Sequence, residues 1–243
     1  MYHFYPSLFD AFTRWQTAQS TMKERERRKL LDSLNRVPFS SESVDLGTAF
    51  NAVIDYYAHE RMPFTSAPYT LDVSRPDNVV SVRFPPTSLS PERRFYFDRE
   101  WCQYEAQEFI EAEPQVYVES VIDTAHGKVR LYGVADEVWG LDVVDIKTTS
   151  HYYPGKYFSG WQRHVYPWCL TETGHPIESF SYVAYEMSGG TPRAPIIRGI
   201  KHVESYPYDH ADSTRLIRSQ AEALINFIEE NKELITNNKL NTP

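Results

Sequence analysis

The sequence predicts an α/β fold in which a central mixed, largely antiparallel β-sheet is flanked by helices, with a helical region at the N-terminal end. Three observations support this. Apolar residues recur at helical spacing within residues 6–60, short β-type runs follow one another between residues 116 and 148, and a long amphipathic segment closes the chain. Helical segments before, between and after strands are typical of a layered sheet.

The first half of the chain is predicted to be mainly helical. Helices are expected over residues 6–15, 22–35 and 43–60. The six prolines of residues 61–91 indicate irregular loops with one or two short strands, at 79–84. Ser90-Pro91 predicts the start of a helix reaching residue 112, because proline is favoured in the first helical turn.

The second half is predicted to hold the sheet. Strands are expected at 116–122, 129–138 and 143–148, a helix at 156–173, strands at 179–186 and 196–204, and a helix at 212–235. We therefore expect one domain over residues 1–243. It would comprise a mainly helical part (1–112) with a loop-rich insert (61–91), a sheet core (113–208) and a C-terminal helix (209–243).

Composition narrows the classes of function. The 243 residues carry a net charge of −8, which argues against indiscriminate binding to nucleic acid backbones. Residues 14–36 are an exception, with seven basic against three acidic side chains. That segment is either a basic arm that grips a strand or the exposed face of a charged helix. No apolar run is long enough to cross a membrane, and no signal peptide is recognised.

The two cysteines are too few for an iron–sulfur cluster, and no phosphate-binding loop for ATP is present. A cytoplasmic location is expected.

The segment from Gly133 to Thr149 holds the main candidate site. If Gly140-Leu141 is a two-residue hairpin loop, Asp136 and Asp145 face each other across the two strands. Strand alternation then places Lys147 on the same face and Glu137 on the opposite one. Two acids and a lysine that converge in this way are the components of a divalent-metal site for phosphodiester cleavage. From the hairpin alone, a solvent-exposed ion pair is the competing interpretation.

Three motifs follow one another within residues 133–166. They read Gly133-Val-Ala-Asp136, then Asp145-Ile146-Lys147-Thr148, then Gln162-Arg-His-Val-Tyr166. Together they resemble the PD-(D/E)XK nuclease superfamily, in its RecB-like and phage-exonuclease branch, whose fold has a restriction-endonuclease-like core. An upstream motif of that family has an imperfect counterpart from Gly47 to Asp55, in which Asn51 stands where the family has a metal-binding histidine.

The resemblance implies a set of roles. Asp136, Asp145, Lys147, Gln162 and Tyr166 would be the catalytic residues. The metal, Mg²⁺ or Mn²⁺, would be bound by Asp136, Asp145, the backbone carbonyl of Ile146 and, in place of the histidine, Asn51. Thr148, Lys156 and Arg163 would contact DNA.

The expected function is therefore a metal-dependent DNA nuclease, most simply an exonuclease of recombination, repair or phage and mobile-element genome processing. Expected partners are DNA ends or single strands, with an annealing protein, a helicase or a second copy of the chain as protein partners. One alternative is a catalytically degenerate nuclease fold that only binds DNA or protein. Another is a nuclease directed at RNA or against host defence.

Overall fold

The structure is a computed structural model that describes residues 1–63, 66–237 and 240. Within these residues nine strands form one mixed sheet with helices on both faces, and three helices lie near the N-terminal end, which confirms the predicted fold class. Residues 64 and 65 of the predicted insert, and residues 238, 239 and 241–243 of the predicted C-terminal part, lie outside the described residues.

The helices are α1 (Pro6–Thr17), α2 (Ser20–Leu34), α3 (Glu42–His59), α4 (Arg99–Ala106), α5 (Gln162–Glu172) and α6 (His210–Glu230), with 3-10 turns at Gln107–Phe109 and Lys232–Leu234. The strands are β1 (Tyr2–Phe4), β2 (Thr70–Asp72), β3 (Val79–Phe84), β4 (Arg93–Asp98), β5 (Glu113–Thr124), β6 (Gly127–Trp139), β7 (Asp142–Thr149), β8 (Ser179–Ser188) and β9 (Ile196–Pro207). No helix of the described chain is both long enough and apolar enough to cross a bilayer.

The sheet runs in the order β1-β6-β7-β8-β9-β4-β3-β2, with β5 along the other edge of β6. Two strands share the first edge of β6. The parallel strand β1 pairs with residues 129–131, and β7 pairs antiparallel with residues 137–139. Within the described ladders, residues 132–136 of β6 are therefore unpaired on that edge. This interruption, which we call the β6 gap, contains Gly133 and Asp136.

Two hydrophobic cores lie on the two faces of the sheet. The first core packs α1, α2, α5 and α6 against inward residues of β5 to β8, such as Leu131, Val143 and Phe180. The second packs α3 and α4 against the other face, where Val144 and Ile146 are buried. Successive residues of β7 thus point into different cores, as strand alternation requires. Asp145 and Lys147 alternate with Ile146 and so lie on the face of the first core.

The predicted helix over residues 91–112 is wrong in its first half. Residues 93–98 form β4, which pairs with β3, and the helix α4 begins only at Arg99. The aromatic alternation of Phe95 and Phe97, both buried, favours a strand over the helical start that proline suggested. Asp98 then caps α4 by accepting a hydrogen bond from Trp101 N at 2.8 Å. The N-terminal half therefore supplies four short strands in addition to its helices.

The helix predicted over residues 156–173 is shorter than expected. Residues 154–159 form turns, and α5 begins at Gln162. Its end is as predicted, because Gly174 follows with φ of 91°, the left-handed conformation that commonly terminates helices.

Candidate active site

The hairpin between β6 and β7 has the register that its sequence predicts. Gly140 has φ of 59°, and Trp139 pairs with Asp142 across the two-residue loop. The ladder continues to the pair Glu137 and Val144 and ends there. The turn therefore brings Asp136 and Asp145 to the point where the two strands separate.

Asp136 takes part in that separation. Its Oδ2 accepts a hydrogen bond of 2.8 Å from the backbone N–H of Ile146. In a continued antiparallel ladder this N–H would bond to the carbonyl of Ala135, because hydrogen-bonded pairs alternate along the strands. The side chain has replaced the backbone partner, and so the carboxylate is held between the strands at the β6 gap.

Asp145, Lys147 and Gln162 form one hydrogen-bonded group. Asp145 is 1% exposed, and its Oδ2 lies 2.6 Å from Lys147 Nζ. Lys147 Nζ also donates to Gln162 Oε1 at 2.8 Å, while Gln162 Nε2 donates to Asp145 Oδ1. One amide therefore satisfies both charged groups, since it accepts from the cation and donates to the anion. The first turn of α5 supplies Gln162 to this group.

Tyr166 lies one helical turn beyond Gln162 and packs directly on β6. Gln162 Nε2 donates to Tyr166 Oη at 3.5 Å, which places both side chains on one face of α5. A Cβ atom at Gly133 would stand 2.5 Å from Tyr166 Cε1. The glycine of the first motif and the tyrosine of the third are therefore in direct contact, and only the absence of a side chain at 133 leaves room for the ring.

The buried charges shift one another's pKa values. Burial and the neighbouring Asp145 raise the pKa of Asp136 to about 7, against the opposing effect of Lys147. Burial also raises the pKa of Asp145, again opposed by Lys147. Burial alone would lower the pKa of Lys147, but the attraction of Asp145 and Asp136 outweighs it and the pKa is raised. The site thus holds two carboxyl groups whose ionised forms are disfavoured, next to one ammonium group.

Asp10 is a site neighbour that the sequence analysis missed. It lies in α1, and its Oδ1 accepts a hydrogen bond from Trp161 N at 3.0 Å, just before α5 begins. Burial raises its pKa, while the attraction of Arg14 and Lys147 opposes the rise. It therefore adds a third carboxyl group to the electrostatics of Lys147. No local motif marks Asp10, which is distant in sequence from the other site residues.

The other two expected metal ligands are Ile146, in β7, and Asn51, in α3. Ile146 is in β7 between Asp145 and Lys147, and its side chain is buried in the second core. Asn51 lies in α3, and its Oδ1 is buried without a hydrogen-bond partner among the described residues. An orphaned oxygen of this kind suits a ligand role, which stays a prediction.

The expected DNA contacts are dispersed. Thr148 is on the α3 side of β7, where its Oγ1 lies 3.3 Å from the position that a Cβ of Gly47 would occupy. Lys156 Nζ donates to His151 O at 2.6 Å and to Thr149 Oγ1. The Arg163 guanidinium lies over the rings of Phe158 and Tyr206, at 4.3 and 5.2 Å. These three residues do not form one group with the Asp145 network, and their binding to DNA stays a prediction.

Glu137 faces the second core, as its alternation with Asp136 predicts, but it is completely buried there. His59 Nε2 lies 3.3 Å from its Oε2, and neither carboxyl oxygen has a hydrogen bond in the described structure. Burial, with Asp55 and Asp136 nearby, raises the pKa of Glu137 to about 9, and burial lowers the pKa of His59. At neutral pH the pair is therefore uncharged. Its burial was not predicted.

The donor set suits a hard divalent cation. Among the described residues no group of three or more His, Cys, Asp or Glu side chains is arranged to hold a metal. Mg²⁺ needs fewer protein ligands than such a group supplies, because it is commonly held by one or two carboxylates together with waters and substrate phosphates. Asp136 and Asp145 supply two carboxylates. A bound dication would offset the desolvation cost that raises their pKa values.

Comparison with known proteins gives little further constraint. No protein-family model and no curated protein matches the sequence. The crystal structure of SSO0001 is 21% identical over 46% of this chain and 50% of that chain, with a TM-score of 0.32. The crystal structure of Scheffersomyces stipitis Rai1 is 11% identical over 91% of this chain and 48% of that chain, with a TM-score of 0.25. The chain spans about half the length of each, and similarities at this level assign no activity to it.

Proposed function

We propose that the protein is a Mg²⁺- or Mn²⁺-dependent deoxyribonuclease that hydrolyses phosphodiester bonds. We further propose that it acts as an exonuclease in DNA recombination, repair or phage and mobile-element genome processing. The hydrolytic chemistry is supported by one observation above all. A buried carboxylate, Asp145, is bonded to both Lys147 and Gln162 beside a second, half-buried acid, Asp136. The exonuclease assignment is supported only by the motif resemblance.

Asp136 and Asp145 would hold the metal, with the carbonyl of Ile146 and the side chain of Asn51 as further oxygen ligands. When bound, such an ion lowers the pKa of a coordinated water and offsets negative charge on the phosphate. The carboxylates must be ionised to bind it. Their raised pKa values mean that protons compete with the metal at acidic pH.

Lys147 would stabilise negative charge that develops on the phosphate during hydrolysis. Its raised pKa keeps the ammonium group protonated at neutral pH, and burial strengthens its interaction with an anion. Gln162 would keep Asp145 and Lys147 in fixed orientations, because its amide bonds to both. Tyr166 would position Gln162 through its hydrogen bond and its packing on Gly133.

The test is cleavage of linear and covalently closed circular DNA, each with Mn²⁺ and with EDTA. The wild type should degrade the linear DNA only when Mn²⁺ is present. Asp145→Asn keeps the shape of the side chain but removes a metal ligand and its charge, and so its cleavage rate should be at least ~100-fold lower. Nicked circles would indicate an endonuclease. Cleavage of RNA alone would support the RNA-directed alternative.

A protein that binds DNA but yields no product with either metal would instead be a degenerate nuclease fold. The absence of a three-ligand cluster among the described residues, with Asn51 in place of a histidine, favours that alternative. The Asp145, Lys147 and Gln162 network opposes it, because a pure binding module has no need of a buried ion pair that costs desolvation.

A further inference from the structure

A row of tyrosine and arginine side chains crosses the sheet near the candidate active site. Its members, which we call the tyrosine–arginine strip, are Tyr117, Arg130, Tyr132, Arg36 and Tyr5. Arg130 Nη2 donates to Tyr117 Oη at 3.2 Å, and its guanidinium lies 5.9 Å from the ring of Tyr132. Arg36 donates to Tyr132 Oη at 2.5 Å and lies 5.8 Å from the ring of Tyr5. Arginine and tyrosine thus alternate in contact along its length.

Three members of the strip, Tyr117, Arg130 and Tyr132, lie on the face of the β5–β6 hairpin that points away from the first core. Val118, Ile122 and Leu131 point into the first core, so their neighbours Tyr117 and Tyr132 point the other way. Tyr117 is 56% exposed, and two valines of the same face, at positions 121 and 134, are also exposed. The face is therefore accessible to a ligand.

A cleft of about 370 Å³ connects the strip to the candidate active site. It is lined by Tyr5, Arg36 and Tyr132 of the strip and by Gln162 and Tyr166 of the candidate active site. Because Gly133 also lines it, the cleft lies at the β6 gap, where β1 and β7 leave the edge of β6 unpaired. Its volume is in the lower range of small-ligand sites, which suits a single nucleotide.

Arg36 brings a positive charge to the lining of the cleft. Within the described part of the chain its guanidinium contacts tyrosines and meets no carboxylate. Burial lowers the pKa of His3, and Arg130 and Arg36 lower it further, which shows that these cations share one neighbourhood. Of the acids on this face, Glu119 is paired with Arg130, and Asp123 lies opposite Lys128 in the ladder. The local charge therefore opposes the net negative charge of the whole chain.

Arg36 also has a left-handed backbone conformation, which glycine adopts more easily than arginine. It directly follows Asn35, the C-cap of α2, and has φ of 51°. Glycine is usual there, and a non-glycine residue in this conformation costs on the order of 1 kcal/mol. An exposed arginine at a costly position, directed to a cleft, is more typical of a binding residue than of a structural one.

We infer that the tyrosine–arginine strip is a docking surface for single-stranded DNA and leads the strand into the cleft beside Gln162 and Tyr166. Unpaired bases would stack on the tyrosine rings, and phosphates would bind Arg36 and Arg130, the combination used by proteins that bind single strands. In a duplex the bases are already stacked on one another and cannot use the rings. The inference names the substrate form for the nuclease proposed above and rests on that proposal for its chemistry.

The test measures the binding of fluorescein-labelled oligothymidine and of the matched duplex by fluorescence anisotropy. EDTA is present so that no cleavage occurs. The variants are Arg36→Gln, which removes the charge but keeps a donor for Tyr132, and Tyr132→Ala. The matched control is Arg83→Gln, which removes one exposed arginine of β3 that is paired with Glu92. Circular dichroism establishes that each variant is folded.

The wild type should bind the single strand more tightly than the duplex. Arg36→Gln should weaken single-strand binding by about fivefold and lower the slope of log affinity against log salt by about 0.7, the loss of one phosphate contact. Tyr132→Ala should weaken it by about tenfold, as the loss of one stacked base predicts. Arg83→Gln should bind like the wild type.

Equal effects of Arg36→Gln and Arg83→Gln, tighter binding to the duplex, or no measurable binding of the single strand would overturn the inference. The two proposals fail separately. Single-strand binding that depends on Arg36 in a protein that never cleaves DNA would reject the nuclease and keep the docking surface. DNA cleavage that is unchanged by substitution of Arg36 and Tyr132 would keep the nuclease and reject the docking surface.

Discussion

The ring of Tyr166 lies against the backbone of Gly133, so that a Cβ atom at position 133 would stand 2.5 Å from Tyr166 Cε1. Gly133 has no positive φ, and alanine is therefore excluded by the ring alone. We expect Gly133→Ala to lower the free energy of unfolding by about 1–3 kcal/mol, the usual cost of overpacking. It should also slow DNA cleavage, because Gln162 is bonded to Tyr166. Urea unfolding and the cleavage rate with Mn²⁺ measure the two effects.

A second substitution provides the control. Tyr166→Leu shortens the side chain and vacates the space that a methyl group at 133 would need. If the contact explains the cost, Gly133→Ala should be less damaging in the Tyr166→Leu background, with a coupling free energy of about 1 kcal/mol. Equal losses in both backgrounds would show that the strand, and not the ring, requires glycine.

Lys147 compensates the buried carboxylates, and its removal should destabilise the metal-free protein. Lys147→Met keeps the length of the side chain but leaves Asp145 without its cation, which we expect to cost about 3 kcal/mol. Mn²⁺ should restore part of this loss. Lys29→Met, which breaks an exposed pair with Glu26, should change the stability by less than about 0.5 kcal/mol. Urea unfolding with EDTA and with Mn²⁺ measures both, and unchanged stability of Lys147→Met in EDTA would contradict the assignment.

Metal affinity should depend on pH in the direction set by Asp136. Its pKa is raised to about 7, and only the ionised carboxylate binds a dication. Below pH 7 the proton therefore competes, and the Kd for Mn²⁺ should weaken by about tenfold for each further pH unit. Isothermal titration at a series of pH values measures this. Asp136→Asn should remove most of the binding, and an affinity that is flat from pH 7 downward would show that Asp136 is not a ligand.

Glu137 should make the stability depend on pH between about pH 4.5 and pH 9. Its pKa is about 9 in the folded protein and near 4.5 in the unfolded chain. Its contribution is complete below the unfolded pKa and is lost as the pH rises through about 9. Stability should therefore fall with increasing pH by on the order of 1 kcal/mol per unit in this window. Thermal and urea unfolding of Glu137→Gln should show a flatter profile. The same slope in both proteins would exclude Glu137 as its source.

Much of the fold follows from local sequence signals. Gly140 fixes the turn and the register of Trp139 with Asp142, and strand alternation separates the Asp145 face from that of Ile146. The predicted start of a helix at Pro91 failed because a local proline signal competed with the pairing of β4 to β3, a tertiary contact that favours Phe95 and Phe97 in a strand.

The candidate site was only partly predictable for the same reason. The residues of the motifs lie within one hairpin and the next helix, so their proximity follows from short-range geometry. Asp10 reaches the site only because α1 packs beside the start of α5. The bond from Ile146 N to Asp136 depends on where the strands separate, which β1 influences by pairing with β6 farther along the same edge. Alternation alone does not specify such long-range arrangements.

The most direct measurement is a crystal structure of the protein soaked in Mn²⁺, with the ion located from its anomalous scattering. We predict a peak between the carboxylates of Asp136 and Asp145, within about 2.0–2.3 Å of an oxygen atom of each, the distance range of hard divalent cations. No peak at these side chains, or two carboxylates that remain bonded only to Lys147, Gln162 and Ile146 N in saturating Mn²⁺, would contradict a metal-dependent nuclease.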